Sequence, residues 1–172
     1  MVGLHSLEQQ RVKRFLLRIW RILPLWMQRL ASAILRPRYQ VAVALMIFNE
    51  QGQLLLCKHT YRRQYPWGLP GGGLKPGEDP QQAVRRELFE ETGCAIQDAR
   101  LILADNASEF RNVSLVYLCT GLGGTFVPSD EVANIQYFDT DKLPGFFPEH
   151  QRTITRALAF LKSETAQKPV NS

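Results

Sequence analysis

The sequence predicts an α/β domain, in which strands alternate with two helices around a mixed β-sheet. Short apolar segments bounded by turn residues are typical of strands, and they occupy residues 41–48, 53–59, 101–104, 113–120 and 135–138. Two stretches with apolar residues at helical spacing, 79–93 and 149–162, follow the second and the last of these. With 172 residues, 45% of them hydrophobic, the chain is long enough to bury the core of one domain.

The strand segments are separated by turns and loops. Residues 49–52, Asn-Glu-Gln-Gly, predict a turn that joins the first two strands as a hairpin. Residues 61–67 form a basic and aromatic loop, and residues 121–128 are rich in turn formers. We therefore divide the chain into a helical extension (1–39), an α/β domain (40–165) and a flexible tail (166–172).

The N-terminal extension is basic and amphipathic. Residues 7–35 show apolar residues at helical spacing, and Pro24 is expected to kink or divide the helix. Residues 1–40 hold eight Lys and Arg residues against Glu8 alone, whereas the rest of the chain is slightly acidic. Arginines interrupt every apolar run, so neither a transmembrane helix nor a signal peptide is expected.

Three interpretations of this extension stay open. It packs on the domain or on a second subunit, which would make a homodimer, or it lies on an anionic membrane surface as an interfacial helix. Contact with nucleic acid is the third, and net charge alone supports it only weakly.

Cys57, Cys94 and Cys119 lie in or beside apolar runs and predict buried, reduced thiols. We accordingly expect a cytoplasmic protein, either free or peripheral to the membrane.

The most informative stretch, residues 69–94, places a run of glycines before a helix. Asp79 is a good N-cap, Pro80 suits the first helical position, and Gly93 provides the left-handed residue at the end. The glycines before the helix let the backbone approach a ligand closely; they are Gly71, Gly72 and Gly73.

This helix has an apolar back and an acidic front. The residues expected on the buried side are Val84 and Leu88, flanked by Ala83 and Phe89. Glu87, Glu90 and Glu91 share the other face, at i, i+3 and i+4. Clustered carboxylates repel one another and need a counter-charge. Mg²⁺ is the simplest one, because it prefers carboxylate oxygens.

The same stretch resembles the Nudix box, G-x5-E-x7-R-E-U-x-E-E-x-G-U, where U is a bulky apolar residue. The matching residues are Gly72, Glu78, Arg86, Glu87, Leu88, Glu90, Glu91, Gly93 and Cys94. Cys94 departs from the usual Ile, Leu or Val, but a buried cysteine behaves as a small hydrophobe. The resemblance covers residues 40–162 and implies an α/β/α sandwich with the box helix packed on the sheet.

The resemblance also implies roles for individual residues. Glu87, Glu90 and Glu91 would bind the metal, with Glu87 near the nucleophilic water and the carbonyl of Gly71 as a further ligand. Arg86 would orient a glutamate, the alternative being a simple i,i+4 pair with Glu90. Glu78 would be structural or an outer partner of the metal.

Other residues are candidates by position and chemistry. Glu131 lies before the last strand, where many family members provide another carboxylate, and Glu109 is the alternative. Two further groups come from loops. The aromatic residues Tyr65, Trp67 and Phe110 either stack a nucleobase or pack in the core. The cationic residues Arg62 and Arg63 either reach terminal phosphates or are solvated. His59 and His150 are expected to be structural or surface groups.

The resemblance implies a Mg²⁺-dependent pyrophosphohydrolase, with Mn²⁺ as the alternative metal. Its substrate would be a nucleoside diphosphate linked to a moiety X: a nucleotide sugar, a CDP-alcohol or a (d)NTP. Two other functions remain open, a catalytically silent nucleotide-binding regulatory module and an RNA 5′-end pyrophosphohydrolase. A nucleic-acid partner is not the expected one.

Overall fold

The computed structural model describes residues 14, 17–18, 20–35, 39–106 and 111–167. Two sequence candidates, Glu109 and Phe110, lie outside these residues, as does most of the predicted tail, 168–172. The chain divides into two units, Met1–Arg38 and Tyr39–Ser172.

In the first unit, helix α1 spans Leu25–Leu35 and follows a helical stretch at residues 20–22. The Gln28 side chain donates to the carbonyl oxygens of Trp20 at 3.0 Å and Leu23 at 2.9 Å. The helix is interrupted around Pro24, because proline lacks the N–H that a continuous helix needs. Within the described ranges, no helix combines the length and the apolar character needed to cross a membrane.

The second unit contains six strands and two helices in its described parts. They are β1 (Gln40–Ile47), β2 (Leu54–His59), β3 (Trp67–Gly68), α2 (Pro80–Thr92), β4 (Asp98–Asn106), β5 (Asn112–Thr120), β6 (Val132–Phe138) and α3 (Pro148–Gln167). One sheet has the order β1-β5-β4 and is mixed, with β1 parallel to β5 and β4 antiparallel to it. The other has the order β3-β2-β6 and is antiparallel.

The predicted hairpin between the first two strands is limited to its turn, where Phe48 and Leu54 form a single antiparallel bridge. The predicted turn forms, since the N–H of Gly52 donates to the Asn49 carbonyl at 3.0 Å. However, β1 pairs along its whole length with β5, and β2 pairs with β6 in the other sheet. The turn is local chemistry, whereas strand partners are chosen by non-local packing, so the turn could be predicted and the pairing could not.

Two clusters of buried side chains occupy opposite faces of the strands. On one side, Val84 and Leu88 of α2 pack with Leu45 and other strand residues. On the other, Ile154 of α3 packs with Met46 and its neighbours. Successive strand residues point to opposite faces, so Leu45 and Met46 belong to different clusters. The layered α/β/α arrangement with a mixed sheet is confirmed.

Helix α3 begins one residue earlier and ends five residues later than predicted from apolar spacing. Its first half is anchored to β4 through Asp105, whose side chain is buried. The Thr153 hydroxyl donates to Asp105 Oδ2 at 2.9 Å, and Arg156 Nη1 donates to Oδ1. This attachment fixes where the helix meets the end of the strands.

The three cysteines are free and buried, as predicted. Burial raises the pKa of Cys57 and raises the pKa of Cys119 to about 12. These thiols are therefore protonated at neutral pH and act as packing groups.

Candidate active site

Helix α2 has the ends that its sequence predicts. Asp79 Oδ1 accepts hydrogen bonds from the N–H groups of Gln81 at 2.9 Å and Gln82 at 3.3 Å. Pro80 occupies the first turn, and Gly93 takes up the left-handed conformation with φ of 71°. These caps fix the first and last turns of the helix that carries the acidic residues.

The buried face of α2 differs from the prediction at one position. Ala83, Val84 and Leu88 are fully buried, whereas Phe89 is 64% exposed and does not flank the core. Two residues of an α-helix turn about 200°, so Phe89 lies opposite Glu91. Glu91 in turn lies on the buried face and is only 4% exposed.

Glu91 is a buried carboxyl group whose surroundings favour its protonated form. The Gly71 N–H donates to its Oε2 at 2.9 Å. Burial raises the pKa of Glu91 to about 7, and the charges of Glu87 and Glu131 act in the same direction. The helix face and the segment before β6 therefore bring negative groups close together, and the glycine loop donates a hydrogen bond to one of them.

Arg86 donates hydrogen bonds to three glutamates of the site. Its Nε and Nη2 donate to the two carboxylate oxygens of Glu78, at 2.6 and 2.8 Å. Its Nη1 donates to Glu87 Oε1 at 2.6 Å and to Glu90 Oε2 at 3.0 Å. The i,i+4 contact with Glu90 is thus one of several, and a planar guanidinium is needed to make them all at once.

These contacts change the acidity of the groups involved. The hydrogen bonds from Arg86 lower the pKa of Glu78 to about 2, helped by the Lys75 N–H. They also lower the pKa of Glu90, and the contact with Glu78 raises that of Arg86. Arg86, Glu78 and Glu90 are therefore charged at neutral pH.

The glycine loop is packed against β1 at Gly71 and against Glu87 of α2 at Gly72. The Gly72 carbonyl accepts from the Val43 N–H at 2.9 Å. Gly71 has φ of 140°, and a Cβ there would lie 2.1 Å from the Val43 oxygen. A Cβ on Gly72 would lie 2.5 Å from Glu87 Oε2. The loop thus leaves a backbone surface in direct contact with the acidic helix face.

The same loop lines a cleft of about 770 Å³. Its walls come from the glycine loop, β1, the start of β5 and the first half of α3. Polar side chains in the lining include Tyr39, Tyr61, Arg62, Asn112, Ser114 and Thr153. A volume of this size is typical of small-molecule sites. The acidic face and the cleft therefore meet at the glycine loop.

Some candidates from the sequence lie in this cleft and others do not. Arg62 lines it, as do the three box-loop glycines and Glu78. Trp67 instead packs edge-on against Phe138, with ring centroids 4.9 Å apart, and Tyr65 packs in the same way against Phe147 at 5.3 Å. Both aromatics therefore make the packing contacts that the sequence left as their alternative role.

The remaining candidates lie in loops. Arg63 is exposed and is not part of the cleft lining. Glu131 is exposed as well, but its backbone is fixed, since its carbonyl accepts from the Thr60 N–H at 2.9 Å.

Polar residues at the start of β5 also belong to the site, although they were not predicted from the sequence. Asn112 and Ser114 share one face at i, i+2 and both line the cleft. The Asn112 Oδ1 atom is buried and accepts no hydrogen bond from the residues that the structure describes. Polar residues alternating at the start of an otherwise apolar strand were the signal that could have indicated them.

The donor chemistry of the site suits Mg²⁺, which prefers carboxylate and carbonyl oxygens. In the described parts of the chain, no three His, Cys, Asp or Glu side chains are grouped closely enough to hold an ion. The hydrogen bonds explain why: Arg86 holds oxygens of Glu87 and Glu90, and Glu91 is turned to Gly71. The right oxygens are present, and their side chains are engaged by the protein itself.

Comparison with known proteins gives consistent results. Residues 38–158 match the NUDIX domain. Over 64 residues the chain is 42% identical to an RNA pyrophosphohydrolase from Proteus mirabilis (strain HI4320), an alignment that covers 37% of this chain and 35% of that protein. The chain thus matches about a third of the length of such curated relatives.

Solved structures extend the similarity to the whole domain. The MutT NUDIX hydrolase from Burkholderia pseudomallei aligns with a TM-score of 0.61 and 28% identity, over 71% of this chain and 99% of that one. A UDP-X diphosphatase aligns with a TM-score of 0.62 over 95% of this chain and 86% of that one, and its 20% identity shows the fold alone. Because the NUDIX domain match spans most of the sequence, this chain belongs to the Nudix family.

Proposed function

We propose that this protein is a Mg²⁺-dependent pyrophosphohydrolase that cleaves a nucleoside diphosphate linked to a moiety X, of the nucleotide-sugar, CDP-alcohol or (d)NTP class. The observation that carries the proposal is the contact between Gly72 and Glu87, where the cleft meets the acidic helix face. A diphosphate lying along the glycine loop would have its nucleoside in the cleft and its anhydride beside the carboxylates.

The acidic residues would hold the cation. Glu87, Glu90 and Glu91 would bind it, with the Gly71 carbonyl and Glu131 as further ligands. When bound, Mg²⁺ neutralises phosphate charge and lowers the pKa of a bound water. Glu87 lies against the loop on which the phosphates would rest, so it is the group that would orient the attacking water.

Arg86 would act as a positioning residue. It already holds Glu87 and Glu90, which would otherwise repel each other. A cation bound to the oxygens of Glu87 and Glu90 would neutralise part of the charge that Arg86 now neutralises. The two hydrogen bonds from Arg86 to Glu78 would keep the guanidinium in place.

Cationic side chains at the cleft would bind the phosphates. Arg62 lines the cleft, and within the described residues no carboxylate forms an ion pair with it. It lies over Gly68, where a Cβ would come within 2.6 Å of its Nη1. Lys75 also lines the cleft, 3.4 Å from Glu90. Charge-assisted hydrogen bonds from Arg62 to phosphate oxygens would hold the substrate.

Asn112 would select the nucleoside. A buried acceptor without a partner costs free energy until a ligand donates a hydrogen bond to it. We expect an N–H group of the base or a ribose hydroxyl to fill this role. Asn112→Leu should raise KM by about tenfold with little change in kcat, and Asn112→Asp, which keeps an acceptor oxygen, should restore binding more fully.

The test is a substrate panel with Mg²⁺ and with Mn²⁺, assayed for phosphate with and without added phosphatase. The panel contains nucleotide sugars, CDP-alcohols, (d)NTPs and 5′-triphosphorylated RNA. Glu90→Gln should lower kcat by about a hundredfold or more without loss of the fold, whereas Glu50→Gln, at an exposed turn outside the site, should not change it. Unchanged turnover in Glu90→Gln would refute the assignment.

A second candidate is an RNA 5′-end pyrophosphohydrolase, favoured by the partial identity to the Proteus mirabilis protein of that name. Pyrophosphate released from triphosphorylated RNA, with no turnover of free nucleotides, would select it. Nucleotide binding with no Mg²⁺-dependent hydrolysis in any arm would instead indicate a regulatory module.

A further inference from the structure

Helix α1 exposes a row of large apolar side chains. Trp26, Leu30 and Ile34 are 66%, 55% and 73% exposed. They are spaced i, i+4 and i+8, which places them in one stripe along the helix. Leu25 and Met27 are exposed beside it. A contiguous exposed apolar stripe on a short helix marks an interaction surface.

The charge around this stripe is of one sign. Arg14, Arg18, Arg21 and Arg29 are all exposed, and the described residues of this unit contain no acidic side chain. The complete sequence has only Glu8 to offset eight basic residues over positions 1–40. The surface therefore complements a partner that is both apolar and anionic.

A second copy of the chain is a poor partner for this surface. The stripe from Trp26 to Ile34 is about 12 Å long and, at a helix width of about 10 Å, offers roughly 120 Å², far less than the roughly 800 Å² per partner of a stable protein interface. Symmetric packing would also bring arginines of two copies together. Nucleic acid would satisfy the charge but leave the aliphatic side chains in water.

We propose that α1 and the arginines before it dock the protein on an anionic lipid surface. The stripe would enter the boundary between headgroups and acyl chains, with Trp26 at the headgroup level, and the arginines would bind lipid phosphates. This docking would determine where the protein is held, and it does not depend on the chemistry of the active site.

The test is co-sedimentation of the full-length protein with vesicles of phosphatidylcholine alone or mixed with phosphatidylglycerol. We expect binding to the mixed vesicles at low salt, weak binding to the neutral ones, and release in high salt because exposed charges are screened. The double variant Trp26→Ser with Ile34→Ser should lower the partition coefficient by at least about tenfold. Arg18→Gln with Arg21→Gln should lower it by about thirtyfold at low ionic strength.

A matched control removes exposed apolar side chains from the other unit. Leu101 and Phe160 are 47% and 38% exposed. Leu101→Ser with Phe160→Ser should leave vesicle binding unchanged. Thermal unfolding of each variant reports whether the fold is retained, independently of any hydrolytic activity.

Three results would overturn the proposal. One is equal binding to neutral and anionic vesicles, or binding to neither. Another is vesicle binding that the arginine substitutions weaken and the Trp26→Ser with Ile34→Ser variant leaves unchanged, since this would indicate a general site for polyanions. The third is self-association in sedimentation velocity that the same pair of substitutions abolishes, because the partner would then be a second copy.

Discussion

His59 is a buried histidine with no hydrogen-bond partner among the described residues. It lies on β2 and is 3% exposed, and neither ring nitrogen is bonded by a residue that the structure describes. Burial lowers the pKa of His59 to about 4, and the charges of Arg62 and His150 contribute in the same direction. The ring is therefore neutral in the folded protein at all but acidic pH, as a structural histidine would be.

This pKa makes stability depend on pH. The unfolded chain binds a proton on His59 below about pH 6.5, whereas the folded protein resists it until about pH 4. The stability that the neutral His59 ring contributes is therefore fully present above the unfolded pKa of about 6.5, and it is lost as the pH falls towards the folded pKa of about 4. The loss reaches about 2 kcal/mol near pH 5 and about 3 kcal/mol near pH 4.

Replacing His59 with methionine should stabilise the protein. Methionine is apolar and adaptable, and it removes two unpaired nitrogens from the core, which is worth about 1–3 kcal/mol at neutral pH. The advantage of the variant over wild type should then grow by about 2 kcal/mol on going from pH 7.5 to pH 5.

Urea unfolding at a series of pH values measures this difference directly, because other titrating groups are common to both proteins and cancel. A difference in unfolding free energy that does not change with pH would refute the argument that the buried ring titrates. A variant less stable than wild type at every pH would show that the ring nitrogens are satisfied in solution.

Two further predictions concern the active site. Gly72→Ala places a Cβ 2.5 Å from a Glu87 oxygen, and a flexible carboxylate can move away. We therefore expect kcat to fall about a hundredfold while the stability changes by less than about 1 kcal/mol. Arg86→Lys removes the planar fork that reaches Glu78, Glu87 and Glu90 together, and it should lower kcat by a similar factor. Steady-state kinetics and thermal unfolding check both.

Each of these has a matched control. Gly123→Ala meets no atom within 4 Å, so it should change neither kcat nor stability. Arg85→Lys changes the neighbouring residue of the same helix, whose guanidinium binds the carbonyls of Ile96 and Gln97. Full activity in Gly72→Ala would show that Glu87 needs no fixed place. Equal loss in the two lysine variants would show that the effect is not specific to the guanidinium of Arg86.

The ends of α2 could be predicted from sequence because they depend on neighbours in the chain. Asp79 caps through N–H groups two and three residues away, and Gly93 needs only its own freedom of φ. The acidic spacing of Glu87, Glu90 and Glu91 likewise follows from the helical repeat. Phe89 was placed wrongly because apolar character does not say which way the helix turns on the sheet.

The amino-acid sequence by itself determined the helix, its acidic face, the glycine loop and the family to which they belong. Tertiary structure decided what these groups contact: that β1 pairs with β5, that Arg86 joins three glutamates, and that Asn112 and Arg62 line one cleft. The physical reason is the separation along the chain over which each interaction acts. Capping and helical periodicity act over a few residues, whereas strand pairing and the burial of Glu91 depend on segments brought together only by folding.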